Sequence, residues 1–367
     1  MKILFAGGGT AGHIYPSIAV AEALVERNEG HEILFIGRRG GSEGSIIENA
    51  GFRLKMLEVY GIPKRPGIGG MKKIIKTLAS PRAAAKIIKE FSPDVIFATG
   101  GYVSYPCIKA GISMKIPTVI HESNAFPGKV TRLLYKKCTS VLLNLDGAKD
   151  VLKGNNIQTV GMPLRRDFLT GSREQARRKL NISNGDFLII SFGGSGGSER
   201  INDVTVGLMK SYSTKNINTK HIHACGKRYF ESYKKNEAEL CSGKYGCRIV
   251  PYIEDMPTYL LAADLVISRS GAVTLSELCA AGAAAILIPS PNVSDDHQRK
   301  NAQYLCDKGA AVIIDESELS ERILLDTVAK IRGDESLRQR LCERIGSFKN
   351  TSAKDKIINE LFNVSKK

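Results

Sequence analysis

At 367 residues the chain exceeds the roughly 250–300 residues over which a single hydrophobic core keeps growing, so two domains are expected. A composition of 43% hydrophobic and 25% charged residues excludes a disordered or fibrous chain. The net charge of +16 is uneven, with 23 Lys and Arg against 12 Asp and Glu in residues 1–165, so the first half is the basic one, as suits nucleic acid, an anionic membrane or an anionic substrate, among which charge alone does not choose.

The chain opens Met1-Lys2-Ile3-Leu4-Phe5-Ala6 and runs straight into glycines. That apolar stretch is too short for a signal peptide and no run of about 18 apolar residues follows, so a cytosolic location is expected. Short runs rich in Val, Ile, Leu and Phe then alternate with helical patterns, the signature of βαβ units and a parallel sheet. In the first half the strands are expected near 2–6, 31–37, 54–59, 94–99, 117–121 and 140–144, with helices near 14–28, 104–114 and 128–137. Strand-like Ile157-Gln158-Thr159-Val160 runs into the Gly/Pro break Gly161-Met162-Pro163-Leu164-Arg165, where the domains are expected to join. In the second half strands are expected near 187–192, 220–225, 248–251, 264–268, 284–288 and 311–314, and helices near 199–212, 273–282 and 297–308. The sequence therefore reads as two doubly wound α/β domains in tandem, residues 1–162 and 163–345. A last helix within 346–367 is expected to pack back on the first domain, and a cleft between the domains is the natural active site.

Eight cysteines show no Cys-x-x-Cys pair and no nearby His at ligand spacing, so neither a zinc site nor a disulfide framework is expected. No aromatic-rich basic stretch or known binding module supports a nucleic-acid partner. Two glycine loops carry the first chemistry: Gly7-Gly8-Gly9-Thr10-Ala11-Gly12-His13 after the first strand, and Gly193-Gly194-Ser195-Gly196-Gly197-Ser198 after the first strand of the second half. Glycines allow close approach of the backbone to a phosphate, and a following helix N-terminus presents free N–H groups to it. The first loop also fits a dinucleotide fingerprint, but its second strand ends Phe35-Ile36-Gly37-Arg38-Arg39 without the carboxylate that would hold a ribose, which argues against a dehydrogenase.

The stretch Ile267-Ser268-Arg269-Ser270-Gly271-Ala272-Val273-Thr274-Leu275-Ser276-Glu277 reads as a strand, a glycine turn and a helix N-terminus rich in hydroxyls. Glu277, one turn inside the helix, suits either two vicinal ribose hydroxyls or a capping box with Thr274, and the residues alone leave both readings open.

The runs Gly8-Gly9-Thr10-Ala11-Gly12-His13-Ile14-Tyr15-Pro16, Thr99-Gly100-Gly101-Tyr102-Val103-Ser104-Tyr105-Pro106, His121-Glu122-Ser123-Asn124-Ala125-Phe126-Pro127-Gly128, Gly161-Met162-Pro163-Leu164-Arg165, Gly193-Gly194-Ser195-Gly196-Gly197, Ser268-Arg269-Ser270-Gly271-Ala272 and Asp295-Asp296-His297-Gln298 resemble, in order and over nearly the whole chain, the MurG family. These are the peptidoglycan N-acetylglucosaminyltransferases that convert lipid I to lipid II. Ala11 departs from a common glycine, Ser123 and Gly196 from glutamine, and Met162 from asparagine.

The resemblance implies a GT-B fold, an inverting hexosyl transfer from UDP-N-acetylglucosamine to lipid I, and association with the cytoplasmic face of the cell membrane alongside proteins of wall synthesis. It implies Ile253 at the uracil, Glu277 at the ribose, Ser195 and Arg165 at the diphosphate, and Ala272, Val273, Thr274, Leu275 and Ser276 as the helix N-terminus beneath it. Gln298 and Asn124 would meet the sugar, and Thr10, Ala11 and Gly12 would close the site. His13 is the expected general base, with an unperturbed pKa of about 6.5 suited to proton abstraction, and His121 is the other imidazole to weigh. No Asp-x-Asp occurs in the chain, so no metal and no cofactor are expected, the helix N-terminus and Arg165 taking up the charge of the leaving diphosphate. Residues 61–90, with eight basic residues against Glu90 and interleaved Ile62, Ile68, Met71, Ile74, Ile75 and Leu78, are the expected face for anionic lipid. A diacylglycerol glycosyltransferase and a UDP-N-acetylglucosamine 2-epimerase are the alternatives on the same fold.

Overall fold

Continuous apolar runs, rather than alternating ones, suit strands covered on both faces, and both sheets of this chain are of that kind. The computed structural model describes residues 1–9, 11–41, 43–61, 68–214, 217, 219–235, 240 and 246–366, with the side chains at 11, 68, 69, 72, 73, 213 and 214 left aside. Two units result, Met1–Leu164 with Asn350–Lys367, and Arg165–Lys349.

In the N-terminal unit β1 (Lys2–Ala6), β2 (Glu32–Arg38), β3 (Arg53–Leu57), β4 (Val95–Ala98), β5 (Thr118–Glu122), β6 (Ser140–Leu143) and β7 (Ile157–Thr159) form one sheet in the order β3-β2-β1-β4-β5-β6-β7. Every pairing is parallel. Helices α1 (Ala11–Glu26), α2 (Glu43–Asn49), α3 (Ile68–Phe91), α4 (Ser104–Ser113) and α5 (Lys129–Leu134) connect them. Because strand side chains alternate, Ile3, Phe5, Phe35, Val95 and Phe97 bury one face against Ile14, Ile18 and Leu24 of α1. Leu4, Ala6, Ile36, Ile96 and Ala98 bury the other against Ala84 and Ile88 of α3 and Ile108 of α4. Phe5 stacks on Phe35 at 4.9 Å and meets Phe97 edge-on at 5.6 Å, both favoured aromatic geometries. The short α2, which opens with a glycine at its second position, gave no helical signal in the sequence.

The C-terminal unit repeats the plan. Strands β8 (Leu188–Phe192), β9 (Lys220–Ala224), β10 (Cys247–Val250), β11 (Leu265–Ser268), β12 (Ala284–Leu287) and β13 (Val312–Ile313) lie in the order β10-β9-β8-β11-β12-β13, again all parallel. Its helices are α6 (Asp167–Thr170), α7 (Arg173–Lys179), α8 (Glu199–Thr214), α9 (Phe230–Tyr233), α10 (Met256–Ala262), α11 (Ala272–Ala281), α12 (His297–Cys306), α13 (Glu321–Gly333) and α14 (Glu335–Gly346). The chain then returns to the N-terminal unit as α15 (Ala353–Ser365), whose Ile357, Ile358, Leu361 and Val364 join the core of β1 and α1. Arg27, just after α1, fixes it with a 2.9 Å ion pair to Asp355.

One buried cation organises the start of the C-terminal sheet. Arg177 on α7, 5% exposed, donates through Nη1 to Ala262 O at 3.0 Å and Asp264 Oδ2 at 3.1 Å, and through Nη2 to Ser183 O at 2.6 Å and Asp186 O at 2.7 Å. Asp264 Oδ2 also accepts the Leu188 N–H at 2.8 Å, so the same pair sets the first residues of β8 and β11. Without Arg177 the Ala262, Ser183 and Asp186 carbonyls lose this donor, while Asp264 keeps Arg173 at 2.6 Å, and each unsatisfied buried acceptor costs about 1–3 kcal/mol. Arg177→Ala is therefore expected to lower the unfolding free energy of the C-terminal unit by about 3 kcal/mol, read as a lower urea midpoint with the m-value unchanged, and a loss below about 1 kcal/mol would refute the assignment.

Candidate active site

Parallel sheets receive ligands outside the carboxyl ends of their strands, where the strand order reverses. That point lies between β1 and β4 in one unit and between β8 and β11 in the other. Each glycine loop found in the sequence leaves the first strand of such a pair, and each faces a second loop that leaves the other strand.

In the N-terminal unit His13, in the first turn of α1, sits with Nδ1 2.9 Å from the carbonyl oxygen of Thr99, just beyond β4. A carbonyl only accepts, so Nδ1 carries the proton and the neutral ring keeps its lone pair at Nε2. Thr99 Oγ1 donates in turn to His13 O and pairs with Ser17 Oγ at 2.9 Å, which locks the first turn of α1 to β4. The ring lies so close to the next loop that a Cβ at Gly100 would stand 3.3 Å from it, and one at Gly101 would stand 2.4 Å from Gly8 O. Both glycines also hold positive φ, +92° and +74°, which side chains rarely adopt.

Gly9 of the same loop is held from below. Its N–H donates at 2.8 Å to Oε1 of Glu43, a buried carboxylate in the first turn of α2. Sequence reasoning missed Glu43, because nothing in Gly40-Gly41-Ser42-Glu43 points 34 residues back to Gly9. Thr10 lies outside the described residues, as does the side chain of Ala11, while Gly12 is half-buried in α1.

Asn124 is positioned by Glu122 at the end of β5. The buried Glu122 accepts from Asn124 N and Nδ2 at 3.0 and 3.1 Å, from Gly128 N at 2.9 Å and from Thr131 Oγ1 at 2.6 Å, so loop 123–128 folds around one carboxylate. His121, the other imidazole considered as a base, is fully buried and donates Nε2 to Gly161 O at 2.8 Å. Burial holds its pKa below the ordinary value. Its role is structural.

In the C-terminal unit the N-terminus of α11 has Gly271 as N-cap, with no side chain capping it. Leu275 is the first residue whose N–H closes a helical turn, onto Gly271 O at 2.9 Å, so the N–H groups of Ala272, Val273 and Thr274 have no carbonyl a turn behind them. Helix α11 starts one residue earlier than expected, and with Gly271 as its N-cap Thr274 lies in its first turn, which rules out a Thr274–Glu277 capping box. Leu275 is buried and Ser276 Oγ donates to Ala272 O at 3.0 Å, so these two can offer a ligand little but backbone.

Glu277 Oε1 instead lies 3.4 Å from Nη2 of Arg165, with side-chain exposures of 14% and 43% respectively. Burial pushes the Glu277 carboxyl up to about 7, and the Arg165 guanidinium pulls the other way. Ser195 is exposed on the glycine loop, and Ile253 beyond β10 is buried, leaving its backbone as what it can present. Gln298 on α12 accepts the Ser290 N–H at 2.9 Å through Oε1, and its own carbonyl accepts from Ser270 Oγ at 2.7 Å. Ser270 thereby ties α12 to the turn that starts α11. Just before α12, Asp295 and Asp296 hold φ of 55° and 51°, a strained pair for residues with side chains.

Arg269, to which the sequence alone assigns no role, joins these loops. Its Nη2 donates to Ser198 Oγ at 2.8 Å and pairs with Glu316, while Nη1 donates to Ile288 O at 3.2 Å and Pro289 O at 3.0 Å. Among the described residues no three His, Cys, Asp or Glu side chains come together to hold a metal ion.

Residues 3–143 match the N-terminal domain of glycosyltransferase family 28 and residues 188–357 its C-terminal domain. A UDP-N-acetylglucosamine–N-acetylmuramyl-(pentapeptide) pyrophosphoryl-undecaprenol N-acetylglucosamine transferase of Carboxydothermus hydrogenoformans is 37% identical over 94% of this chain and 93% of its own length. Among solved structures, Acinetobacter baumannii MurG superposes with a TM-score of 0.79 at 23% identity, over 99% of both chains. The UDP-GlcNAc 2-epimerase of Neisseria meningitidis shares the fold at a TM-score of 0.66 and 11% identity, over 99% of this chain and all of its own. Two Rossmann-like domains of GT-B type, family matches to each of them and likeness to curated relatives over nearly the whole chain converge on one conclusion: this chain belongs to glycosyltransferase family 28 and, within it, to the MurG family.

Proposed function

We infer that this chain moves N-acetylglucosamine from UDP-N-acetylglucosamine to the C4 hydroxyl of the muramic acid of lipid I, giving lipid II for peptidoglycan. The observation that carries this reading is the 37% identity, over 94% of the chain, to a relative whose name is that transfer. The uncapped N-terminus of α11 beside Glu277 and Arg165 supports the donor half of it.

The donor belongs to the C-terminal unit in this reading. Uracil meets the backbone of Ile253, the ribose hydroxyls donate to Glu277, and the diphosphate lies on the N–H groups of Ala272, Val273 and Thr274, at the helix N-terminus that Leu275 and Ser276 continue, with Ser195 and Arg165 beside it. Gln298 meets the sugar with its amide. From the N-terminal unit, Asn124 meets the sugar and Thr10, Ala11 and Gly12 meet the reacting groups. The acceptor oxygen attacks the anomeric carbon with inversion as the bond to the diphosphate breaks, its electron pair leaving with UDP. The hydroxyl proton passes to His13 Nε2, the lone-pair nitrogen fixed by the Thr99 carbonyl. Charge growing on the leaving diphosphate is met by the α11 N-terminus and Arg165, so no metal or other cofactor is needed.

An acceptor on a polyprenyl anchor stays in the bilayer, so the enzyme must come to it. No helix among the described residues is long and apolar enough to cross a membrane. On α3, Met71, Ile75 and Leu78 fall at i, i+4 and i+7 and are 53%, 61% and 65% exposed, an apolar stripe that suits insertion among lipid headgroups. Arg82, Lys86 and Lys89 are exposed farther along the same helix. The sequence groups Lys76 with the lipid-facing cations, but its ammonium pairs with Glu58. Lys64 and Arg65, with the side chains of Lys72 and Lys73, lie outside the described residues.

The whole reading is tested by transfer of labelled sugar from UDP-N-acetylglucosamine to a polyprenyl-diphosphate muramyl lipid in EDTA. The parent should turn over, and His13→Ala should lose about 10²–10⁴ in kcat. Consumption of the nucleotide sugar without an acceptor, or a His13→Ala loss below about fivefold, would refute the transfer or the base respectively. For Glu277, ribose hydroxyls donate to the ionised carboxylate, so donor binding expels a proton. Affinity for UDP-N-acetylglucosamine should then be full above about 7 and fall by up to about tenfold per unit below it, whereas Glu277→Gln should bind weakly and without that slope. A parent affinity flat from about pH 6 to 8 would remove Glu277 from the ribose. Changing Met71, Ile75 and Leu78 together to serine should abolish binding to vesicles containing phosphatidylglycerol with UDP affinity intact, and undiminished vesicle binding would move the membrane face elsewhere.

A further inference from the structure

Beneath the β8–α8 loop runs an unbroken row of buried side-chain hydrogen bonds drawn from three elements. Tyr212 Oη on α8 meets His221 Nδ1 on β9 at 3.0 Å, His221 Nε2 meets Ser191 Oγ on β8 at 2.7 Å, and Ser191 Oγ meets His223 Nδ1 at 2.8 Å. His223 Nε2 lies 3.0 Å from Asn202 Oδ1 on α8, and Asn202 Nδ2 donates at 2.9 Å to the carbonyl oxygen of Cys225. All five side chains are fully buried.

With both imidazoles neutral, only one placement of protons satisfies this row. Asn202 spends its amide on a carbonyl, so its oxygen must accept from a protonated His223 Nε2. His223 Nδ1 then accepts from Ser191, Ser191 accepts from His221 Nε2–H, and His221 Nδ1 accepts from Tyr212. Burial keeps the rings neutral, holding His223 at about 4 and His221 well below its ordinary value. The core around them is apolar, and apolar side chains of the same shape in place of both partners of a hydrogen bond can be nearly neutral or stabilising. A fully satisfied polar row instead specifies one arrangement of the elements it joins.

What it specifies is the glycine loop. A Cβ on Gly197 would stand 2.1 Å from Cys225 O, the atom that ends the row, and one on Gly226 would stand 2.8 Å from the Gly197 Cα. Loop and carbonyl are thus in direct backbone contact. Asn202 also donates its backbone N–H to Ser198 O at 2.8 Å, so one residue grips the loop with its main chain and the carbonyl beneath it with its side chain.

We propose that Ser191, His221, His223 and Asn202 are positioning residues of the donor site, which set the height of loop 193–198 through the Cys225 carbonyl and thereby the affinity for the nucleotide diphosphate. This rests on the reading that the loop grips that diphosphate. Misplacement of a binding group by about 1 Å can cost on the order of a hundredfold.

The test is steady-state kinetics with both substrates and UDP titration calorimetry on the full chain. His223→Ala should raise KM for UDP-N-acetylglucosamine and Kd for UDP by about tenfold or more, with KM for the lipid acceptor unchanged. His223→Gln, whose amide nitrogen reaches the same Asn202 oxygen, should restore most of the loss. A lower kcat with donor KM and UDP affinity at parental values is what mere loss of folded protein gives, and it would overturn the proposal. Should His223→Ala not fold, Ser191→Ala, which removes a single oxygen, takes its place. The same donor-side loss is expected of it, and parental donor KM and UDP affinity would again overturn the proposal. Gly197→Ala separates the premise from the inference. If Gly197→Ala loses UDP while His223→Ala binds it normally, the positioning role falls alone. If Gly197→Ala binds UDP normally, the donor-loop reading falls and takes the proposal with it.

Discussion

A loop that is to offer main-chain N–H groups must carry few side chains over them, and in both units the loop after the first strand is rich in glycine. These glycines stand at the carboxyl ends of β1 and β8, and glycines hold no position by themselves. The structure supplies the missing hold from beneath: the Glu43 carboxylate on the Gly9 N–H, the Thr99 carbonyl and hydroxyl on His13, Arg269 on Ser198, and Asn202 on the loop through Ser198 and Cys225. Buried polar groups of this kind are tolerable only when their hydrogen bonds are made. The two loops are bare on the ligand side and tethered on the other.

The start of α11 follows the same logic. Ser, Thr, Asp or Asn as N-cap would stabilise the helix by accepting an N–H of its first turn, and so would compete with a ligand for that donor. Gly271 gives up only a few tenths of a kcal/mol against those residues and leaves the first turn open. Glu277, one turn further in, is balanced between burial, which favours its proton, and Arg165, which opposes it.

Much of this was legible in the sequence. Phe5, Phe35 and Phe97 lie in apolar runs too continuous for a half-exposed sheet, and the glycine loops stood at the ends of those runs, so the doubly wound plan followed. The cap of α11 was not legible, because Gly271 gives no side-chain signal, and it is Gly271 rather than Thr274 in that place that decides for an open N-terminus over a capping box. The tethers were not legible at all. Glu43 acts 34 positions from Gly9, and Ser191 acts 30 positions from His221, so no local spacing links them. Lys76 looked like one more cation in a basic stretch until the fold brought Glu58 against it.

The return of the chain as α15 bears on how this protein is made. A ribosome delivers residues 1–164 first, and domains ordinarily fold in the order they emerge. Here the layer of β1, β4 and α1 is completed by Ile357, Ile358, Leu361 and Val364, which emerge after the entire second unit. Until then the nascent first unit exposes the apolar strip that those four residues cover, while residues 165–349 have every strand and helix they require. The second unit is therefore the first able to finish, and the basic half becomes native only once α15 has emerged.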